Sequence, residues 1–254
     1  MNTTQTNTAY LSKSRLDLIA KSPYLFWWKY LSGQYVESAP TPALIMGKAF
    51  HCRLLEPQEF GKRYAILPPN IDRRTKDGKE KYQAFLDETQ GLEIITKDQD
   101  EQIEGMYRSV MDHNIASSIV LAEGESEKVI EYDYRGHCWK SIIDRYSTFR
   151  HIIWDVKTTD DASPEGFRRS MFKYRYHVQA ALYMEGMRAL GHEVKAFIFL
   201  AIEKNPPYQI GLYYISADLI NQALQLIELD VLKYQVCLES NNWPMYENLI
   251  TEIK

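Results

Sequence analysis

Apolar residues fall into two regimes along the chain. Up to about residue 122 they recur every three or four positions, the spacing that lines up side chains on one face of an α-helix. From Glu127 onward they alternate with polar residues or form short unbroken runs, the marks of half-buried and fully buried strands.

In the first regime Ser12 reads as the N-cap of a helix, and Pro23 opens a second, aromatic-rich one that ends near Gly33. Ser38-Ala-Pro-Thr-Pro reads as a linker, and Ala43 to Leu55 as a helix stopped before Pro57. Residues 66–81, with Pro68-Pro69 and a basic run, predict an exposed loop leading into a helix at about 80–89. Residues 97–122 predict one or two more helices.

In the second regime, Lys128 to Tyr134, Cys138 to Tyr146 and Ile152 to Lys157 predict three strands in a meander, with Arg135-Gly136 as the first turn. One helix follows from Pro164 and another from about Tyr174 to Leu190, stopped by Gly191. Strands at Ala196 to Ile202 and Gln209 to Ile215 flank Asn205-Pro-Pro, and Ala217 to Glu239 is a closing helix. This order predicts an α/β fold in which a central mixed β-sheet is flanked by helices. We read one domain over 1–254, with a disordered start at 1–9, a mainly helical part at 10–122 and a sheet core with closing helices at 123–254.

Composition adds limits to that picture. With 254 residues, 45% of them apolar and 25% charged, the chain is neither disordered nor collagenous nor a coiled coil. Its net charge of −4 opposes a general nucleic-acid coat, whose phosphate contacts need a basic surface. Cys52, Cys138 and Cys237 form no C-x-x-C pair, which fits reduced thiols and gives no zinc or iron–sulfur signature. A polar N-terminus and the lack of any 18-residue apolar run predict a cytoplasmic protein with no membrane partner.

Candidate chemistry gathers on the strands. Asp144 closes the second predicted strand, and Asp155-Val156-Lys157 closes the third, eleven positions later. Residues i and i+2 of a strand share a face, so Asp155 and Lys157 point one way and Val156 points into the core. The adjacent strand can set Asp144 beside them. Both carboxylates follow apolar runs, Ile142-Ile143 and Ile152-Ile153-Trp154, where a charge is costly unless it is partnered or binds metal. Hard carboxylate oxygens suit Mg²⁺ or Mn²⁺, and a nearby lysine can orient or deprotonate water and shield charge that builds on phosphorus. Metal-assisted phosphodiester hydrolysis needs that set, although the same residues also occur as solvated surface charges.

Tyr176, Gln179 and Tyr183 fall at i, i+3 and i+7 of a predicted helix, a stripe that can aim the Gln179 amide at the strand residues or simply face a core. His51 stands alone in Gly47-Lys-Ala-Phe-His-Cys, and its spacing gives no reason to single it out.

Asp144 together with Asp155-Val-Lys-Thr-Thr resembles the PD-(D/E)XK nuclease motif, and Gln179-Ala-Ala-Leu-Tyr183 resembles the Q-x-x-x-Y element of its RecB-like branch. The strings Leu11-Ser-Lys-Ser-Arg-Leu-Asp, Gly47-Lys-Ala-Phe-His-Cys-Arg-Leu-Leu-Glu-Pro, Asp72-Arg-Arg-Thr-Lys-Asp-Gly-Lys-Glu and Tyr174-Arg-Tyr-His-Val-Gln are similar to the nuclease domain family of exonuclease VIII (RecE). They run in one order from about residue 10 to about 245.

The resemblance implies a PD-(D/E)XK core and a 5′-to-3′ exodeoxyribonuclease. Such an enzyme digests one strand of linear double-stranded DNA and leaves 3′ overhangs for a RecT-type single-strand annealing protein in recombination. It implies Mg²⁺, with Mn²⁺ as a substitute, held by Asp144, Asp155 and the Val156 carbonyl, with His51 as a further candidate. Lys157 would position or activate the attacking water. Gln179, Tyr176 and Tyr183 would hold the lysine or a DNA phosphate, and Glu127 would be an auxiliary acid. A homo-oligomeric ring around the duplex, a tetramer, would retain DNA despite the acidic balance. Two departures stand out: Ile143 replaces the proline of the motif but removes no catalytic atom, and the cysteines of the iron–sulfur branches are absent, which implies no cluster.

Two basic runs are candidates for DNA contact, one with Arg73, Arg74, Lys76, Lys79 and Lys81, the other with Arg168, Arg169, Lys173 and Arg175, though charge runs are usually solvated faces. Ser12, Ser14 and Arg15, at a predicted helix N-terminus, are candidates for a 5′-phosphate pocket or for capping alone. Two other functions remain open: a structure- or site-specific endonuclease on the same fold, and a DNA-end binding module without turnover.

Overall fold

The computed structural model describes residues 10–246, so the predicted disordered start lies outside them. The helical part runs α1 (Lys13–Lys21), α2 (Pro23–Tyr30), α3 (Pro42–Leu55), α4 (Pro57–Arg63), β1 (Tyr64–Ile66), α5 (Lys76–Glu88), β2 (Glu93–Ile95), α6 (Lys97–Asp112) and α7 (Asn114–Leu121). The sheet core runs β3 (Glu125–Tyr134), β4 (His137–Ser147), β5 (Ile152–Thr159), α8 (Pro164–Lys173), α9 (Tyr176–Ala189), β6 (Ala196–Glu203), β7 (Ile210–Tyr214) and α10 (Ala217–Ser240). Five strands form one mixed sheet, as predicted, and their order is β3-β4-β5-β6-β7. Within this sheet only β5 and β6 pair in parallel, and α8 and α9 make the crossover between them, while β1 and β2 form a separate parallel pair.

Each face of the sheet has its own core. On one, Ile143 and Ile153 meet Leu16, Phe26, Val178 and Ile227, which belong to α1, α2, α9 and α10. On the other, Val156, Leu200 and Ile202 meet Phe50, Ile103 and Met106, from α3 and α6. Burying each such side chain contributes roughly 1.5–3 kcal/mol. The amino-terminal end is stitched to the sheet at Leu11, whose N–H donates to Cys138 and whose carbonyl accepts from Lys140. No described helix is long and apolar enough to cross a membrane.

Several boundaries differ from expectation for local reasons. The basic run is half helix, because Thr75 Oγ1 accepts from Gly78 N at 3.0 Å and starts α5 at Lys76. The seven-residue α4 and the three-residue strands β1 and β2 carry too little periodicity to be seen. The helix expected from Tyr174 begins at Tyr176, since Arg175 adopts a left-handed φ of 53° and breaks α8 from α9.

Two arginines proposed for DNA are engaged by partners within the protein. The Arg175 guanidinium pairs with Asp17 at 3.3 Å and with the buried Asp230. Arg15 is 7% exposed and lies between the Tyr10 and Tyr30 rings, donating to the Tyr10 carbonyl. Their charge alone gave no hint of these internal partners. Arg175→Ala leaves Asp230 buried without its cation, so a loss of about 2–3 kcal/mol is expected in urea unfolding. A loss under about 1 kcal/mol would return Arg175 to the set of free surface cations.

Candidate active site

The site opens where two strands part. Pairing of β4 with β5 runs from Ser147–Ile152 to Arg145–Trp154 and then stops, one step before Asp144 would face Asp155. Both acids therefore sit inside their strands rather than at the ends, as the sequence suggested. The divergence frees the Val156 N–H, and Asp144 Oδ2 accepts it at 2.8 Å, so one carboxylate takes over a ladder bond.

Asp155 and Lys157 share the face toward α9, while Val156 is 3% exposed in the opposite core. Lys157 Nζ lies 2.5 Å from Asp155 Oδ2, and Gln179 Nε2 donates to Asp155 Oδ1 at 2.5 Å. Gln179 thus holds the acid, not the lysine. The predicted helix stripe is real: Lys157 lies over the Tyr176 ring at 4.9 Å, and Tyr183 hydrogen-bonds Gln179.

From the other side α3 delivers His51, whose Nδ1 is 3.6 Å from Asp144 Oδ2 and whose ring is hydrogen-bonded to the Val156 backbone. On β3, the constant register with β4 sets Glu127 opposite Asp144. Glu127 adopts a left-handed φ of 48°, a conformation that costs a side-chain-bearing residue roughly 1–3 kcal/mol and concentrates at functional sites. Ligand atoms of His51, Glu127 and Asp144 all lie within 4.8 Å of one another. The resemblance implies only an auxiliary acid at Glu127, because strain at its backbone leaves no sequence signal.

Burial sets the charges here. It pushes Asp155 up to about 6, with Lys157 opposing and Asp144 reinforcing the shift. Glu127 is pushed up to about 7 by burial and then by the Asp144 charge. Burial raises Asp144 too, against Lys157. The ammonium of Lys157 is disfavoured by burial, yet Asp155 and Asp144 outweigh that and hold it above its ordinary value. His51 is lowered to about 4 by burial and by Lys157, so near neutral pH it keeps a lone pair for a metal. Two clustered carboxylates and a neutral imidazole, with the buried Asp155 beside them, fit a divalent cation.

A cleft of about 550 Å³ reaches this cluster, walled by Gly47, Lys48 and His51 of α3, by Arg63 of α4 and by Glu127. Arg63 makes a paired contact with Glu56 at its rim, and the sequence had not flagged either residue. Ser12 and Ser14 line a neighbouring cavity of about 360 Å³ that reaches Gln179 and Tyr183. Ser12 also caps α1, as expected. The basic runs are largely matched by neighbours: Arg74 pairs with Asp72, Lys76 lies 3.9 Å from Glu80, and Arg169 pairs with Asp161 and Glu165. Arg73 and Arg168 lie over the Tyr82 and Phe172 rings.

A mixed sheet whose two central strands separate at paired carboxylates, with a lysine two positions after the second, defines a nuclease fold of the PD-(D/E)XK class, whose members use divalent metals. The chain belongs to the family described as "PDDEXK-like domain of unknown function (DUF3799)", whose profile matches residues 12–252. No curated protein sequence matches it. Among solved structures, a provisionally assigned exonuclease from Eubacterium rectale aligns with a TM-score of 0.66 and 16% identity over 100% of this chain and 95% of its own. That likeness is one of fold. A phage-related exonuclease from Haemophilus somnus aligns at a TM-score of 0.37 with 10% identity, over 76% of this chain and 95% of its own, too distant to support an argument.

Proposed function

We propose that the protein is a Mg²⁺-dependent 5′-to-3′ exodeoxyribonuclease acting on linear double-stranded DNA, with Mn²⁺ able to substitute. The observation that carries the reading is the convergence of Asp144, Asp155, Lys157, His51 and Glu127 at one strand divergence. Chain direction, end preference and the recombination role rest on the resemblance to the exonuclease VIII family.

His51, Glu127 and Asp144, with Asp155 and the Val156 carbonyl beside them, would hold the metal. Bound there, the ion supplies Lewis-acid polarisation of a phosphate oxygen and lowers the pKa of water. Lys157, which lines the cleft beside Asp155, would keep its proton and stabilise negative charge developing on phosphorus. Gln179 fixes Asp155, so that acid and lysine keep one spacing. Ser12 and Ser14, in the cavity beside Gln179 and Tyr183, would receive the 5′ end of the strand, and Arg73, Arg74, Lys76, Arg168 and Arg169 are exposed candidates for contact with the duplex. A ring of four subunits would keep the DNA threaded through a weakly basic channel, and the 3′ overhang would pass to a RecT-type annealing protein in the cytoplasm.

Linear and covalently closed circular duplexes, incubated with Mg²⁺, test the reading. Progressive loss of the linear form alone is expected, with release of mononucleotides and protection of 3′-ended single strands. Cutting of the circle would instead make the protein an endonuclease. Loss of neither, with end binding retained, would make it a binding module.

A further inference from the structure

Lys157 and Thr158 belong to two cavities. Besides the cleft with the carboxylate cluster they line a second space, of about 400 Å³, bounded by Tyr174, Tyr176, Lys173 and Lys204. That volume lies within the range of small-ligand pockets. Its cations are unequally matched. Lys204 pairs with Asp160 at 2.6 Å and Arg169 with Asp161 at 3.1 Å, whereas Lys173 has no carboxylate partner among the described residues. Its ammonium instead lies 5.1 Å from the centre of the Tyr174 ring.

The aromatic rings continue inward from there. Tyr174 is 48% exposed, and its centroid is 5.6 Å from that of Tyr176. The Lys157 ammonium lies over the far ring at 4.9 Å. Lys173, Tyr174, Tyr176 and Lys157 thus form one series, two adjacent aromatic rings with a cation at each end, from the surface to the candidate catalytic lysine. The left-handed break at Arg175 turns Tyr174 out of the helix, and the Arg175 ion pairs hold it there. Basic groups combined with aromatic faces along a groove are how proteins hold single strands: each base has a face that can stack, and each phosphate a charge that can be met.

We propose that this second cavity is a subsite for a nucleotide of the DNA strand flanking the scissile phosphate, its base stacked on Tyr174 and its phosphate met by Lys173. The inference rests on the nuclease reading above. It adds a holding point on the far side of Lys157, so that the strand is gripped on both sides of the bond to be broken.

Short oligonucleotides carrying 2-aminopurine at successive positions from the 5′ end test it, in EDTA so that no cleavage occurs. Quenching of the base analogue is expected at a position within about three nucleotides of the end, together with binding about tenfold weaker in Tyr174→Ala. Tyr174→Phe keeps a stacking face and is expected to retain both signals. Lys173→Gln should lower the slope of log affinity against log salt by about one. In Mg²⁺, Tyr174→Ala should lower kcat/KM about tenfold, mainly through KM.

Unchanged quenching and affinity in Tyr174→Ala would overturn the subsite. The binding measurement reads the subsite even where the wild type fails to hydrolyse DNA, an outcome that would sink the nuclease reading instead.

Discussion

Asp155→Asn is expected to lower Mg²⁺-dependent digestion of linear duplex DNA by about three orders of magnitude or more, a loss comparable to removing a group that acts directly on transition-state charge. Three contacts meet at this side chain. Asparagine removes the charge beside the candidate metal site, takes away the anion 2.5 Å from Lys157 Nζ, and changes the acceptor for Gln179 Nε2. The second effect matters as much as the first, because Asp155 and Asp144 together keep Lys157 protonated despite its burial. With one of them gone, the ammonium becomes less favourable and its position less fixed. Turnover of a 5′-labelled duplex is the measurement, with circular dichroism to confirm that the variant folds. Retention of more than about a tenth of the wild-type rate would show that Asp155 is a structural acid and would move the chemistry to the His51, Glu127 and Asp144 cluster.

The second large effect concerns pH. Glu127 and Asp155 titrate at about 7 and about 6, both above the ordinary carboxylate range near 4. The folded, metal-free protein therefore binds these protons more tightly than the unfolded chain does. The stability they contribute is present below about pH 4 and is lost as pH rises through 6 and 7. A divalent cation needs the same groups ionised, so its binding strengthens over the interval in which the metal-free fold weakens.

Mg²⁺ or Mn²⁺ is thus expected to raise the midpoint of thermal unfolding little at pH 5.5 and clearly at pH 8. Activity should climb through the same range. His51 stays neutral above about pH 5 and adds no inflection there. In Glu127→Gln the step near pH 7 should vanish, leaving one near 6, and metal affinity should fall about 10- to 100-fold. A titration by scanning fluorimetry at several pH values reads both effects. A metal shift that does not depend on pH would remove Glu127 from the site.

What the sequence could and could not show follows from the range of each interaction. Asp144, Asp155 and Lys157 were legible because strand periodicity is local, and three charges beside unbroken apolar runs stand out within a dozen residues. Gln179 was legible through helix periodicity, but its partner was not, since that lies on another element. His51 came into view only by resemblance, because its meaning depends on α3 packing against the divergence of β4 and β5. Glu127 gained weight from a backbone angle that no residue type announces. The internal partners of Arg15 and Arg175 were hidden for the converse reason: the charge was visible, and most of the tyrosine rings and carboxylates that engage it were distant in the chain. The longer helices and strands followed their patterns, while α4, β1 and β2 are held by neighbours rather than by their own periodicity.

The middle residue of the Asp155-Val156-Lys157 triplet sets the limits within which this protein can change. Val156 is locked among Leu200, Ile202 and the side chains of α3, while its two neighbours face α9. Slippage by one residue would send both charges into that apolar layer and turn the valine toward Gln179. Insertions and deletions are therefore absorbable in the Thr148–His151 turn between β4 and β5, but intolerable between Trp154 and Thr158. Lineages descended from this chain can vary the length of the hairpin and still keep the chemistry in frame.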